Sequence, residues 1–99
     1  MLTGKQRSYL KGLANRLDPV VYIGKDGLTA NVVKSIDDCL EARELVKVKL
    51  QEGCILDPKA TANEVAEKLG AEFVQAIGHK FTVYRESETL DAEKRIVLP

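Results

Sequence analysis

The chain contains no tryptophan, one histidine, two cysteines and three prolines, and only 5% of its 99 residues are aromatic. Each scarcity excludes a class of chemistry. Cys39 and Cys54 stand fifteen positions apart, with His79 beyond them, which is neither zinc-ligand spacing nor a redox pair. Cys39 falls among the apolar positions of a helical pattern and reads as a small buried residue. His79 falls in a strand turn, so no Cys–His or Ser–His–Asp site assembles around it. There is no Walker loop and no paired-carboxylate cleft. The expectation is therefore no enzyme, with no catalytic residue, no metal ligand, no cofactor and no small-molecule substrate. No apolar run approaches a membrane span, and the N-terminus is polar and basic rather than a signal peptide, so a cytoplasmic protein without a membrane partner is expected. An excess of one charge is missing too: 15 Lys and Arg balance 15 Asp and Glu.

That neutrality is a sum of unlike parts. Residues 1–34 carry Lys5, Arg7, Lys11, Arg16, Lys25 and Lys34 against Asp18 and Asp26, an excess of +4, whereas residues 35–85 and 86–99 each sum to −2. A locally basic face attracts a polyanion whatever the total charge. A hydrophobic fraction of 44% and a charged fraction of 30% suit a single soluble domain over 1–99, large enough to bury a core without staples.

The most informative stretch is Tyr22-Ile23-Gly24-Lys25-Asp26-Gly27-Leu28-Thr29. An apolar run, Val20 to Ile23, ends at Gly24, and Thr29 stands before a helical pattern. Two glycines let the backbone take positive φ and approach another chain closely. The helix behind them offers unpaired N–H groups and the positive end of a dipole, a seat for phosphate. Lys25 adds a mobile cation. This is a GXXG-type clamp for a nucleic-acid backbone. An ordinary strand-to-helix turn uses the same residues, and the loop alone leaves both readings open.

Around this loop the chain alternates. Thr3-Gly4-Lys5-Gln6 forms a capping box, and Leu10, Leu13, Ala14 and Leu17 recur at helical spacing, which predicts a helix over about 4–16 stopped before Asp18-Pro19. Its basic residues Lys5, Arg7, Lys11 and Arg16 have no acidic neighbour on it. Pro19 opens strand one, Val20 to Ile23. In helix two, capped by Thr29, Val32, Val33, Ile36, Cys39 and Leu40 read as the buried face and Asp37, Asp38, Glu41 and Glu44 as the wet one. Strand two, Leu45 to Leu50, buries Val46, Val48 and Leu50 and turns Lys47 and Lys49 outward. Asp57-Pro58, or alternatively Thr61, starts helix three, which Gly70 ends. Glu72 to Ile77 is strand three, Gly78-His79 a tight turn, and Lys80 to Arg85 strand four, with Phe81 and Val83 inward and Thr82 and Tyr84 outward. Residues 86–93 read as a polar mobile linker, and Arg95 to Pro99 as a short docked edge strand. The βαβ units should cross over right-handed. The outward face would carry Tyr22, Lys47, Lys49, Lys80 and Tyr84, either open for stacking bases or covered by helix one or the tail.

The pattern Leu2-Thr3…Lys5-Gln6, Pro19-Val20-Val21…Ile23-Gly24…Gly27-Leu28-Thr29, Glu44-Leu45-Val46-Lys47-Val48-Lys49, Gly78…Tyr84-Arg85 and Leu98-Pro99 resembles the YhbY-type CRM domain family over nearly the whole chain. The resemblance implies an α/β, two-layer α+β fold in the order α-β-α-β-α-β-β. Its four-stranded mixed sheet would run 1-2-4-3, similar to the C-terminal domain of bacterial translation initiation factor three. It also implies an RNA-binding protein that associates with precursors of the large ribosomal subunit, with large-subunit rRNA or its precursor as partner. Gly24, Lys25, Asp26 and Gly27 stand where the family's GXXG loop stands. Some relatives have a histidine where Arg43 precedes Glu44-Leu45, and many are more basic. The expected RNA site is Gly24 to Thr29 (Gly24, Lys25, Asp26, Gly27, Leu28, Thr29), Lys5, Lys11 and Arg16, with Lys47 and Lys49. The alternative is a protein-binding adaptor on ribosomal particles whose RNA contact is incidental, which the acidic tail favours.

Overall fold

A computed structural model describes all residues, Met1–Pro99. Helix α1 (Gly4–Ala14) starts at the predicted capping box: Gln6 N–H donates to Thr3 Oγ1 and Thr3 N–H to Gln6 Oε1, both at 3.1 Å. It ends at Ala14, two residues short of the predicted helix. The chain tightens there into bonds from Arg16 N–H to the Leu13 carbonyl and from Leu17 N–H to the Ala14 carbonyl. Strand β1 (Val21–Ile23), helix α2 (Ala30–Arg43), β2 (Leu45–Leu50), α3 (Pro58–Leu69), β3 (Glu72–Ile77) and β4 (Lys80–Tyr84) follow in the expected order. Asp57, not Thr61, caps α3 by accepting the Ala60 N–H at 2.8 Å. Gly78 has φ 60, which suits the first central residue of a two-residue hairpin turn.

The sheet order is β1-β2-β4-β3. β1 runs parallel to β2, and β4 is antiparallel to both its neighbours. A register shift between Phe73 and Gln75 bulges β3. One face of the sheet packs Val21, Ile23, Val46, Val48, Leu50, Phe81 and Val83 against Ile36 and Leu40 of α2 and Ala62 and Val65 of α3. Burying side chains of this size supplies roughly 1.5–3 kcal/mol each, the main term holding the layers together.

The opposite face decides between the two readings of the outward side of β4. Thr82 and Tyr84 point away from the α2–α3 layer as expected, and that side is covered: they are 1% and 7% exposed. The apolar stripe of α1 lies on this face: Leu10 and Ala14 pack with Leu45, Val74 and Tyr84, and Leu2, Leu13, Ile96 and Leu98 close the edge. The two-layer expectation thus describes the sheet with α2 and α3, while α1 and the C-terminal segment add a partial third layer. They cover only the half of the face that carries Leu45, Val74 and Tyr84.

Two further expectations change. Glu44, placed on the wet face of α2, is wholly buried. It follows the last residue of α2 and takes φ 67, so its side chain leaves the helical face and turns inward. Residues 86–99, expected as a mobile linker and an edge strand, dock without forming a strand and contain a 3₁₀ turn at Ala92–Lys94. Ser87 is buried and its N–H donates to Glu44 Oε2 at 2.7 Å, while Ile96 N–H donates to Glu44 Oε1 at 2.6 Å. Thr89 Oγ1 donates to Glu41 at 2.8 Å, and the Ser87 hydroxyl and the Arg85 guanidinium also face that carboxylate. The Thr89 hydroxyl, with Ser87, the Glu88 backbone and Arg85, holds the Glu41 carboxyl below its ordinary value of 4.5 despite some desolvation. Burial, then the nearby Glu44 and Glu86 charges, pushes the Tyr84 phenol above its ordinary 10.0.

Candidate nucleic-acid interface

The loop expected to clamp phosphate folds as a turn followed by a helix start. Gly27 N–H donates to the Gly24 carbonyl at 3.1 Å, closing a β-turn with Lys25 and Asp26 at its tip. Gly27 takes φ 75, a value that L side chains rarely adopt, so the turn needs glycine there. Gly24 needs it less: a Cβ at this position would meet Gln51 Oε1 at 3.4 Å, ordinary contact. Thr29 caps α2, its hydroxyl accepting the Val32 N–H at 3.2 Å and its carbonyl the Val33 N–H at 3.0 Å. The N–H groups of Leu28, Ala30 and Asn31 take no partner within the chain. No acidic residue occupies the first turn of α2. Free donors and the positive end of the helix dipole therefore converge beside exposed Lys25. Asp26 is exposed on the same tip and pairs with no cation.

The sheet adds a second group of side chains next to this loop. In register, Tyr22 of β1 sits opposite Lys49 of β2, Lys49 opposite Lys80 of β4, and Lys80 opposite Ile77 of β3. All four lie on the sheet face opposite the α2–α3 layer; Tyr22, Lys49 and Ile77 are exposed and Lys80 is half-buried. Tyr22, Lys49, Gln51 and Glu52 line a shallow hollow of about 460 Å³.

The other expected site residues lie elsewhere. Lys47 shares the outer face with Lys49 but is half-buried, which corrects its placement as a wet residue. Its Nζ donates to the carbonyls of Ala14 at 3.1 Å and Leu17 at 3.2 Å, so its charge neutralises the C-terminal end of α1. Arg16 is exposed at the opposite end of β1 from the loop. There it rims an apolar hollow of about 610 Å³ with Arg43, floored by Leu13, Leu17 and Leu45. Lys5 lies in the first turn of α1, near the C-terminal segment, where Gln6 Nε2 donates to the Pro99 carbonyl at 3.3 Å. Lys11 is exposed on α1. The structure thus joins Gly24 to Thr29 with Lys49 and separates Lys5, Lys11 and Arg16 from them. Ile77 was not anticipated; the sequence signal for it is the Gly78-His79 turn, which fixes the register of β3 on β4.

No three His, Cys, Asp or Glu residues come together in a way that could hold a metal ion. Both cysteines are free and half-buried, and His79 is exposed in its turn.

Comparison with known proteins accords with this geometry. The "Probable RNA-binding protein YqeI" of Bacillus subtilis is 38% identical over 99 residues, covering 100% of each chain. An "RNA-binding protein" of Haemophilus influenzae is 40% identical over 98 residues, covering 99% of this chain and 95% of its own. The solution structure of a hypothetical Staphylococcus aureus protein, described as a candidate RNA-binding protein, superposes with a TM-score of 0.81 at 44% identity over the whole of both chains. The sequence profile of the CRS1/YhbY (CRM) domain matches residues 2–85, a span that holds every strand, all three α-helices and the Gly24–Gly27 loop, and the chain belongs to that family.

Proposed function

We propose that this chain is a non-enzymatic, cytoplasmic RNA-binding protein that associates with precursors of the large ribosomal subunit. One observation carries the reading: a glycine turn with Lys25 at its tip opens onto the uncapped N–H groups of Leu28, Ala30 and Asn31, with no carboxylate in the first turn of α2. A phosphate seated there meets several donors, a helix dipole and one lysine. Lys49 extends this site along the sheet. Lys5, Lys11 and Arg16 act at longer range by raising the local concentration of polyanion, and Lys47 is withdrawn because its ammonium is engaged. The names of the B. subtilis and H. influenzae relatives support RNA as the partner. The ribosomal precursor rests on the sequence resemblance.

A second reading, an adaptor that docks on ribosomal proteins, is favoured by one feature: residues 86–99 carry a net charge of −2. Salt separates the two. Sedimentation of the tagged protein through gradients at low and high salt should find it on large-subunit precursors at low salt and free at high salt. In titrations against a large-subunit rRNA fragment, Lys25→Ala should weaken binding and lower the salt slope by about one, while Asp26→Asn binds as well as wild type or better. A Lys25→Ala protein that is folded and keeps the wild-type affinity and slope would show that the loop is a plain turn.

A further inference from the structure

Lys49 and Lys80 face one another across β2 and β4. Neighbouring strands lie about 4.8 Å apart, and like charges placed directly opposite destabilise a sheet. Neither lysine forms an ion pair; Glu52 lines the hollow beside Lys49 without bridging to it. The arrangement leaves two adjacent cations uncompensated on a half-open sheet face. On one flank stands Tyr22, 50% exposed, on the strand that runs directly into Gly24. On the other stands Ile77, 62% exposed. A tyrosine ring, two paired lysines and an aliphatic side chain therefore form one straight row across all four strands, starting beside the loop.

An aromatic ring flanked by cations suits an unpaired nucleotide: a base has a π-face to stack, and its phosphate carries the anion the lysines lack. A duplex cannot use the ring, because its bases are already stacked. We propose that single-stranded RNA leaves the Gly24–Gly27 loop and crosses the sheet, with one unpaired base stacked on Tyr22 and the adjoining phosphate held between Lys49 and Lys80. This deepens the RNA-binding reading above and rests on it. It makes the protein a reader of single strands, with Tyr22 as the discriminating residue and Lys25 as the indiscriminate one.

The test uses the full chain with a 12-nucleotide single-stranded RNA and the duplex formed with its complement. Tyr22→Leu keeps an apolar side chain at an exposed site and removes the ring; Tyr22→Phe keeps the ring. Tyr22→Leu should weaken single-strand binding roughly tenfold, leave duplex binding unchanged, and be matched by no loss in Tyr22→Phe. Lys25→Ala should weaken both forms alike. Because the chain has no tryptophan, Tyr22→Trp gives a single indole whose fluorescence should be quenched by the single strand and not by the duplex. Single-strand affinity unchanged in Tyr22→Leu while Lys25→Ala loses it would overturn the stacking site and leave the loop clamp standing. Equal losses in Tyr22→Leu and Tyr22→Phe would overturn it too. Wild type binding neither RNA would remove the RNA-binding reading itself.

Discussion

Glu44 and Ile96 stand 52 residues apart and are joined by a 2.6 Å hydrogen bond, the backbone N–H of Ile96 donating to Glu44 Oε1. The other oxygen takes the Ser87 N–H, so a fully buried carboxylate is satisfied by peptide donors with no cation on it. Glu44 is also the one non-glycine residue with positive φ. Backbone strain of this kind persists where the surroundings over-determine it, and here two tail amides do so.

Removing that carboxylate should release the tail. Glu44→Ala leaves the buried Ser87 N–H and the part-buried Ile96 N–H without their acceptor and should cost about 3 kcal/mol, with a fall in Tm of more than about 10 °C. Glu44→Gln keeps one acceptor oxygen and should cost about half as much. Thermal melts read the stability, and amide exchange at Ser87 and Ile96 reads the tail. A Glu44→Ala protein melting within about 2 °C of wild type would count against the latch.

Acid should loosen the same segment through Glu41. Its folded-state pKa is depressed, chiefly by the Thr89 hydroxyl, so its contribution is fully present above 4.5 and is lost as the pH falls through the folded value. Melts recorded as the pH is lowered through the carboxylate range should show stability declining, and Glu41→Gln should show a shallower decline. Parallel curves for the two proteins would mean that Glu41 contributes nothing to the acid limb.

The two loop glycines should separate binding from folding. Gly27→Ala forces a side chain into φ 75 and should cost roughly 1 kcal/mol or more of stability, although the space near Leu56 is adequate. Gly24→Ala meets only Gln51 Oε1 at 3.4 Å and should melt like wild type. Reduced RNA affinity in Gly24→Ala then reports steric exclusion from the clamp. Equal melting temperatures for both variants would show that the turn tolerates a side chain at Gly27.

Lys47 and Lys49 should behave oppositely although two residues apart. Lys47→Ala removes the bonds to the Ala14 and Leu17 carbonyls and should cost about 1 kcal/mol while leaving the RNA salt slope unchanged. Lys49→Ala should keep or improve stability by relieving the repulsion with Lys80, and should lower the slope by about one. Denaturant melts and salt-dependent titrations of the pair check both halves. A lower slope for Lys47→Ala would put its ammonium on RNA.

Much of this was legible in local pattern. The alternation of Val46, Val48 and Leu50 with the lysines located β2, and Thr3, Thr29 and Asp57 announced three helix starts that the structure keeps. Local pattern failed where partners are distant in sequence. Period two set Thr82 and Tyr84 on the outward side of β4 but left open whether water or another element meets that side, and α1 covers it. The stripe of Leu10, Leu13 and Ala14 needed some apolar surface, and the nearly unbroken run from Phe81 to Tyr84 offered one. Glu44 looked wet because the helical wheel was carried one residue past the end of α2. The acidic tail looked mobile because its fixing bonds, from Ser87 and Ile96 to Glu44 and from Thr89 to Glu41, span 43 to 52 residues and leave no periodic trace.

The shape of the sheet's margins has a consequence for how the protein behaves among its own copies. β1, the margin beside the loop, is three residues long and stops at Gly24. β3, the other margin, is broken by its bulge between Phe73 and Gln75. A straight, flat outer strand would template cross-chain pairing and aggregation, and short or bulged margins deny it one. Tyr22 and Ile77 can therefore stand in water at the two ends of the sheet without seeding a fibre.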